Sequence, residues 1–132
     1  MKQRKIIVIE DDEADVLFYR RSLAQLQIAN PIQFFSSATA AADVLAKNPT
    51  QDLPAAILMD TNTPGMTGAD FLRWIKSQAP LAGIPVVAIS SAKSPTEVDE
   101  LKKLGAAAFF QKPGASNWRD MLLQIFKTLH IG

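Results

Sequence analysis

The chain has 132 residues, 48% of them hydrophobic and 20% charged, a balance that suits one globular domain with one core. Its net charge of +1 gives no bulk field for nucleic acid or an anionic membrane, and the lack of cysteine excludes disulfides, thiolate metal sites and cysteine nucleophiles. No apolar run can span a bilayer, and the four apolar residues after the basic start Met1-Lys2-Gln3-Arg4-Lys5 are too few for a signal-peptide core, so a cytoplasmic location is expected.

Strand-like and helix-like runs alternate along the chain. Residues 6–9 form the first apolar strand run, stopped by Glu10-Asp11-Asp12. Val16, Tyr19, Leu23 and Leu26 then recur at helical spacing, and Asn30-Pro31 is expected to close that helix. Residues 32–35 read as a second strand and 39–47 as an alanine-rich helix ended by Asn48-Pro49. A third strand over 55–59 runs into Asp60. Behind it stand the turn residues Thr61-Asn62-Thr63-Pro64-Gly65 and a helix over 68–77 with Phe71, Leu72 and Ile75 on one face. Residues 85–89 form a fourth strand. Ser94-Pro95-Thr96-Glu97 opens the next helix with a capping box and the favoured proline. Residues 106–110 form a fifth strand, and Trp118, Met121, Leu122, Ile125, Phe126 and Leu129 make a wide apolar stripe on a closing helix. Five strands alternating with five helices imply a parallel sheet covered on both faces, with right-handed crossovers. Gln51-Asp52-Leu53-Pro54 is a short loop rather than a linker, and one domain over residues 1–132 without an output domain is expected.

The polar groups collect at strand ends. Asp60 ends one buried strand and Glu10-Asp11-Asp12 end another, so parallel neighbours would bring these acids into one pocket at the carboxyl edge of the sheet, where ligands of open α/β sheets bind. Crowded carboxylates repel one another and call for a cation, and oxygen-only ligands select a hard one, Mg²⁺. Ser90-Ser91 follow the fourth strand, and Lys112 follows the fifth, before Pro113. A set of acids, a hydroxyl and an ammonium suits phosphoryl transfer with a carboxylate nucleophile. Asp60 is the best candidate for that nucleophile, because it stands alone on its strand with a tight turn beyond it.

On these residues the chain resembles a response-regulator receiver domain of bacterial two-component signalling. The likeness rests on Glu10-Asp11 after an apolar strand, Asp60 with Pro64 and Gly68 behind it, Ser90 after the fourth strand, and Lys112-Pro113 after the fifth, and it spans essentially the whole chain. The opening run from Glu10 to Val16 is similar to a subgroup of stand-alone receivers, some paired with bacterial phytochrome kinases. The resemblance implies a doubly wound, flavodoxin-like sheet of order 2-1-3-4-5. It implies that Asp60 accepts a phosphoryl group from the phosphohistidine of a sensor histidine kinase or from a phosphotransfer protein. Asp11, Asp60 and the backbone carbonyl of Asn62 would hold Mg²⁺ directly, and Glu10 through water. Ser90 would be the switch hydroxyl, Lys112 the partner of the phosphoryl group, Phe109 the switch aromatic without the hydroxyl of the more frequent tyrosine, and Lys112–Pro113 a cis peptide. Ala92 departs from members that carry a polar residue there to aim the dephosphorylating water.

Plainer readings stand beside these. The acids at residues 10–15 could be a solvated helix start, Lys112 a surface lysine and Ser90-Ser91 turn residues, of which Ser91 is the better candidate for a mere turn. His130 reads as solvated, Arg20-Arg21 as the polar face of the first helix, and Trp118 as core, although Trp118, Lys102 and Lys103 are also candidate partner contacts. Two rival functions follow. One is an aspartyl-phosphate phosphohydrolase, which commonly needs a second aspartate where Asn62 stands. The other is a pseudo-receiver that binds partners without phosphate, against which the intact acids, Ser90 and Lys112 argue. The expected protein is a phosphorylation-activated switch that promotes only its own phosphorylation and dephosphorylation. It does not bind nucleic acid or membrane, and it is a monomer or weak homodimer.

Overall fold

The computed structural model of the chain describes residues 3–47, 52–92 and 94–131. The strands are β1 (Ile6–Ile9), β2 (Ile32–Phe35), β3 (Ala56–Asp60), β4 (Val86–Ser90) and β5 (Ala108–Gln111). They alternate with helices α1 (Glu13–Gln25), α2 (Ala38–Lys47), α3 (Gly68–Lys76), α4 (Pro95–Lys103) and α5 (Trp118–Leu129), with a short 3-10 turn at Leu81–Gly83 that the sequence reading did not anticipate. The sheet has the order β2-β1-β3-β4-β5, and every neighbouring pair is parallel.

Strand side chains alternate between faces, and the core divides accordingly. Ile7, Ile9, Ile57, Met59, Val86 and Ala88 pack against α2, α3 and α4. Ile6, Val8, Leu58, Val87 and Ile89 pack with Tyr19 and Leu23 of α1 and Met121, Leu122 and Ile125 of α5. The three inner strands are buried throughout, as expected of parallel strands covered on both faces.

The element boundaries carry several corrections. Helix α1 stops at Gln25, because Gln27 takes a left-handed backbone (φ 54°) and Ile28 N–H bonds back to the Leu23 carbonyl. Asn30, expected to close that helix, is buried and instead donates to the Arg4 carbonyl at 2.7 Å, tying the start of β2 to the start of β1. Ala106 lies in the capping turn after α4 rather than in β5. Gly105 sits at φ 108°, and Ala106 N–H bonds to the Leu101 carbonyl, closing the helix by a glycine C-cap. At the other end of α4, Ser94 Oγ accepts from Glu97 N at 3.4 Å, with Pro95 the first helical residue, as the cap signature predicts. Among the described residues the reciprocal half of the box is not made, and one buried Glu97 carboxylate oxygen finds no partner. The predicted stop of α2 at Asn48-Pro49, and Gln51, lie outside the described residues.

β3 and β4 each run one residue past the apolar stretch, so Asp60 and Ser90 are the last residues of their strands rather than loop residues. The backbone that fixes them is the ladder itself: Asp60 pairs with Ile89 in register, and Thr61 N–H continues to the Ile89 carbonyl at 3.0 Å.

Candidate functional site

The loop behind Asp60 is pinned from three sides. Thr63 is buried and its Oγ1 accepts from Ala38 N, Thr39 Oγ1 accepts from Met66 N at 3.1 Å, and Thr67 caps α3 by accepting from Asp70 N at 3.1 Å. Gly68 is required where α3 approaches β3, since a Cβ there would lie 3.2 Å from the Thr61 Cα and from the end of Met59. Asp60, 6% exposed, therefore stands on a rigid support, with Oδ1 accepting from Asn62 N at 3.0 Å.

Three further elements deliver charge to Asp60. Glu10, 2% exposed, extends β1 by one residue through its N–H bond to the Phe35 carbonyl, and its Oε2 accepts from Asp12 N at 3.2 Å. Asp12 is the N-cap of α1 and accepts from Asp15 N at 3.0 Å, which turns Asp15 toward the pocket one helical turn after Asp11. Lys112 extends β5 by its N–H bond to the Ser90 carbonyl at 2.7 Å. Its ammonium lies 2.7 Å from Asp15 Oδ2, 2.9 Å from Glu10 Oε1 and 3.0 Å from Asp60 Oδ2. The contacts to Asp15 and Asp60 are hydrogen bonds, whereas the Glu10 oxygen is an ion-pair contact outside hydrogen-bond geometry.

The electrostatics follow from four acids and one cation in a partly dry cleft. Burial pushes the Glu10 carboxyl up to about 7 from 4.5, the charge of Asp60 adds to this, and Lys112 pulls it back only in part. Burial pulls the Lys112 ammonium down, but its contacts with Asp15, Glu10 and Asp60 outweigh that and hold it above its usual range. Tyr19, wholly buried below the cleft, is raised by burial and then by the charges of Glu10, Asp60 and Asp15. Carboxylate oxygens of Glu10, Asp11 and Asp60 lie within 4.8 Å of one another, two of the residues buried and Asp11 exposed. A buried Glu10 oxygen without a hydrogen-bond donor and an all-oxygen donor set fit a hard divalent cation.

The predicted site residues thus divide. Glu10, Asp11, Asp60, Asn62 and Lys112 line one open cleft. Ser90, 6% exposed, lies at the same edge, but by strand alternation it belongs with Val86 and Ala88 on the α3–α4 side. Its Oγ accepts from Ala92 N at 3.3 Å rather than meeting Asp60. Phe109 is half-buried and packs on that same side, while Phe110 packs on the other. Ser91 is exposed in the turn, its carbonyl taking the Gln111 amide at 3.4 Å.

One expectation is overturned, and one alternative falls. The cis peptide among the described residues is Ala79–Pro80, and Lys112–Pro113 is not cis. Trans is the default for X–Pro, and here the Lys112 amide bond to Ser90 and the ammonium contacts are both made without isomerisation. Trp118 is core, as its place on the apolar stripe implies, and not the alternative partner contact. It is 3% exposed, stacks on Phe18 at 5.6 Å, meets Tyr19 edge-on at 5.0 Å, and donates its indole N–H to the Gly114 carbonyl, fixing the loop that carries Lys112. Lys102 and Lys103 are exposed.

The sequence reading missed Asp15 and Thr63. For Asp15 a signal existed: it follows Asp11 by four residues at a helix start, so both face the same side. Thr63 is one of several turn threonines, and only the position of α2 selects it.

The fold and this edge of acids, lysine and hydroxyl define a class, and comparison with known proteins places the chain within it. A family model described as the response regulator receiver domain matches residues 6–123, and the chain belongs to that family. The two-component response regulator ARR17 of Arabidopsis thaliana is 40% identical over 57 residues, which are 43% of this chain and 37% of that protein. Protein-glutamate methylesterase/protein-glutamine glutaminase 3 of Geobacter metallireducens is 29% identical over 113 residues, 86% of this chain and 30% of that longer protein. The chain thus spans about a third of the length of the curated relatives it matches. Among solved structures, the bacteriophytochrome response regulator AtBRR is 26% identical with a TM-score of 0.82, covering 100% of this chain and 96% of that one. The phosphorylated cyanobacterial phytochrome response regulator RcpA is 23% identical with a TM-score of 0.87, covering 97% and 94%. The Mn²⁺-bound response regulator Rcp1 is 22% identical with a TM-score of 0.82, over the same shares, and both of these likenesses speak to the fold. No described helix is long and apolar enough to cross a membrane.

Proposed function

We propose that this receiver domain is a phosphorylation-controlled switch that takes one phosphoryl group onto Asp60 from the phosphohistidine of a sensor histidine kinase or phosphotransfer protein. The observation that carries the reading is the setting of Asp60: a carboxylate at a strand end, one oxygen held by the Asn62 N–H, the other facing Lys112, with carboxylates of Glu10 and Asp11 converging beside it. In the transfer a carboxylate oxygen of Asp60 forms a bond to phosphorus. The donor P–N bond breaks, and the imidazole leaves with the electron pair and takes a proton from solvent.

Asp11, Asp60 and the Asn62 carbonyl are the proposed direct ligands of Mg²⁺, with Glu10 acting through water. The ion, when bound, neutralises charge on the moving phosphoryl group. Lys112 acts as a point charge on the same oxygens, held in place by the Ser90 carbonyl and by the Trp118–Gly114 bond behind it. Ser90 would leave the Ala92 N–H to bond a phosphoryl oxygen, and Phe109, on the same side of the sheet, would follow into the space released. Asn62 cannot serve as a general acid, which supports a switch rather than a phosphohydrolase.

The test is incubation with Mg²⁺ and acetyl phosphate. One base-labile phosphoryl group is expected on the wild type and none on Asp60→Asn. Full incorporation in the variant would move the acceptor elsewhere.

A further inference from the structure

We propose that Asp15 is a positioning residue for Lys112: it gives the ammonium a second seat, so that Lys112 stays anchored beside Asp60 when Asp60 exchanges its side of the ion pair for a phosphoryl group. The inference rests on the reading of Asp60 as phosphoacceptor.

The cluster divides by geometry. Glu10, Asp11 and Asp60 bring oxygens close enough to share one ion, and Asp15 is not part of that trio. Yet the shortest of the three contacts of Lys112 is the one to Asp15, 2.7 Å against 2.9 Å to Glu10 and 3.0 Å to Asp60. Asp15 is also well fixed. It sits in the first turn of α1, its own N–H is held by the Asp12 cap, and Tyr19 one turn on is wholly buried between Phe34 and Trp118.

Lys112 needs such a holder. An ammonium is a strongly attracted point charge on a flexible stem and settles wherever negative charge is densest. With only Glu10 and Asp60 to choose from, it would have no partner but the two carboxylates that also have to serve the cation and the phosphoryl group. Asp15 on α1 adds a third carboxylate, outside the trio whose oxygens could share an ion. The ammonium has three donors, so a bond to Asp15 leaves two for Asp60 before transfer or for phosphoryl oxygens after it.

The test is a double-mutant cycle on the rate of phosphate uptake from acetyl phosphate with Mg²⁺, in wild type, Asp15→Asn, Lys112→Met and the double variant. Asp15→Asn should slow uptake roughly tenfold, the scale of one hydrogen bond to a charged group. In the Lys112→Met background the same change should cost less than about twofold, because residues that act as a unit are not additive. Equal losses in both backgrounds would mean that Asp15 acts independently of Lys112 and would overturn the role. A second readout follows the Lys112 ammonium by nitrogen-15 NMR in the metal-free protein. Its signal should be slow to exchange in wild type, lost to fast exchange in Asp15→Asn, and recovered in Asp15→Glu. A signal unchanged in Asp15→Asn also overturns the role. No uptake by wild type overturns the phosphoacceptor reading and this role with it, whereas uptake with equal losses overturns the role alone.

Discussion

The two sides of the carboxyl edge of this sheet are built to different standards. On the side facing α1 and α5, Glu10, Asp15, Asp60 and Lys112 are locked together by contacts of 2.7 to 3.0 Å, with Trp118 fixing the lysine loop from behind. On the side facing α3 and α4, the Ser90 hydroxyl bonds, among the described residues, only within its own loop, and Phe109 is half-buried on the sheet edge. The first side is held by direct contacts among its own charged residues. The second has alternatives open to it, which is what a switch needs: a group that can change partners at small cost, coupled to a group that cannot. The period of two along a strand makes the division, because Asp60 and Ser90 sit at odd offset across neighbouring strands.

Removing the cation from the assembled side should have the largest effect on stability. In Lys112→Met, Glu10 and Asp60 remain buried without the cation that pairs with them. The metal-free protein should lose roughly 3 kcal/mol, the lower end for a broken buried ion pair. Urea denaturation in chelator measures this, and added Mg²⁺ should return much of the loss by replacing the missing positive charge. A loss under about 0.5 kcal/mol would say that the cluster behaves like a solvated surface.

Glu10 sharpens the same side by pH. Its folded-state carboxyl titrates near 7, against 4.5 for an unperturbed group. Between those values the folded state holds more protons than the unfolded state, so stability falls as pH rises through the window. Glu10→Gln should remove that slope and make the metal-free protein more stable at pH 8 than wild type, by up to roughly 3 kcal/mol, with little difference at pH 4.5. Melting curves at the two pH values decide it, and parallel curves for the two proteins would contradict the buried, raised carboxyl.

Trp118→Phe keeps an aromatic ring on Phe18 and Tyr19 but removes the donor to the Gly114 carbonyl. About 1 kcal/mol of stability should be lost. Faster amide exchange should appear in the Lys112–Gly114 loop, with the rest of α5 unchanged.

The smallest effect on stability belongs to the open side. Ser90→Ala should stay within about 0.5 kcal/mol of wild type, since the hydroxyl only accepts one bond from a partly exposed N–H. It should still take up phosphate. Amide shifts in α4 and at Phe109 on phosphorylation should shrink well below those of wild type, and identical shifts in the two proteins would remove Ser90 from the switch.

Much of this was legible in the chain. Apolar runs that stop at Glu10 and Asp60, and one followed by Gln111-Lys112, identify both the parallel sheet and the edge where the chemistry lies. The Ser94-Pro95 signature locates α4 to the residue. What could not be read depends on packing. The end of α1 turns on Gln27 adopting a left-handed backbone, where the pattern alone favoured Asn30-Pro31. Asp15 looks like any acid in a first turn until β5 delivers Lys112 to it, a contact 97 residues away in the chain. Trp118 reads as core or surface depending on where the Gly114 loop lies. The cis peptide came with the resemblance alone, and no residue pattern at Lys112-Pro113 demands it.

The reading of this edge turns on Asp60 as the phosphoryl acceptor. The most direct measurement is chemical trapping. After incubation with Mg²⁺ and acetyl phosphate, borohydride reduces an aspartyl phosphate to homoserine, and peptide mapping locates it. The account predicts homoserine at position 60 alone in the wild type. Homoserine at position 10, 11 or 15, or none in a protein that has gained a phosphoryl group, would contradict it.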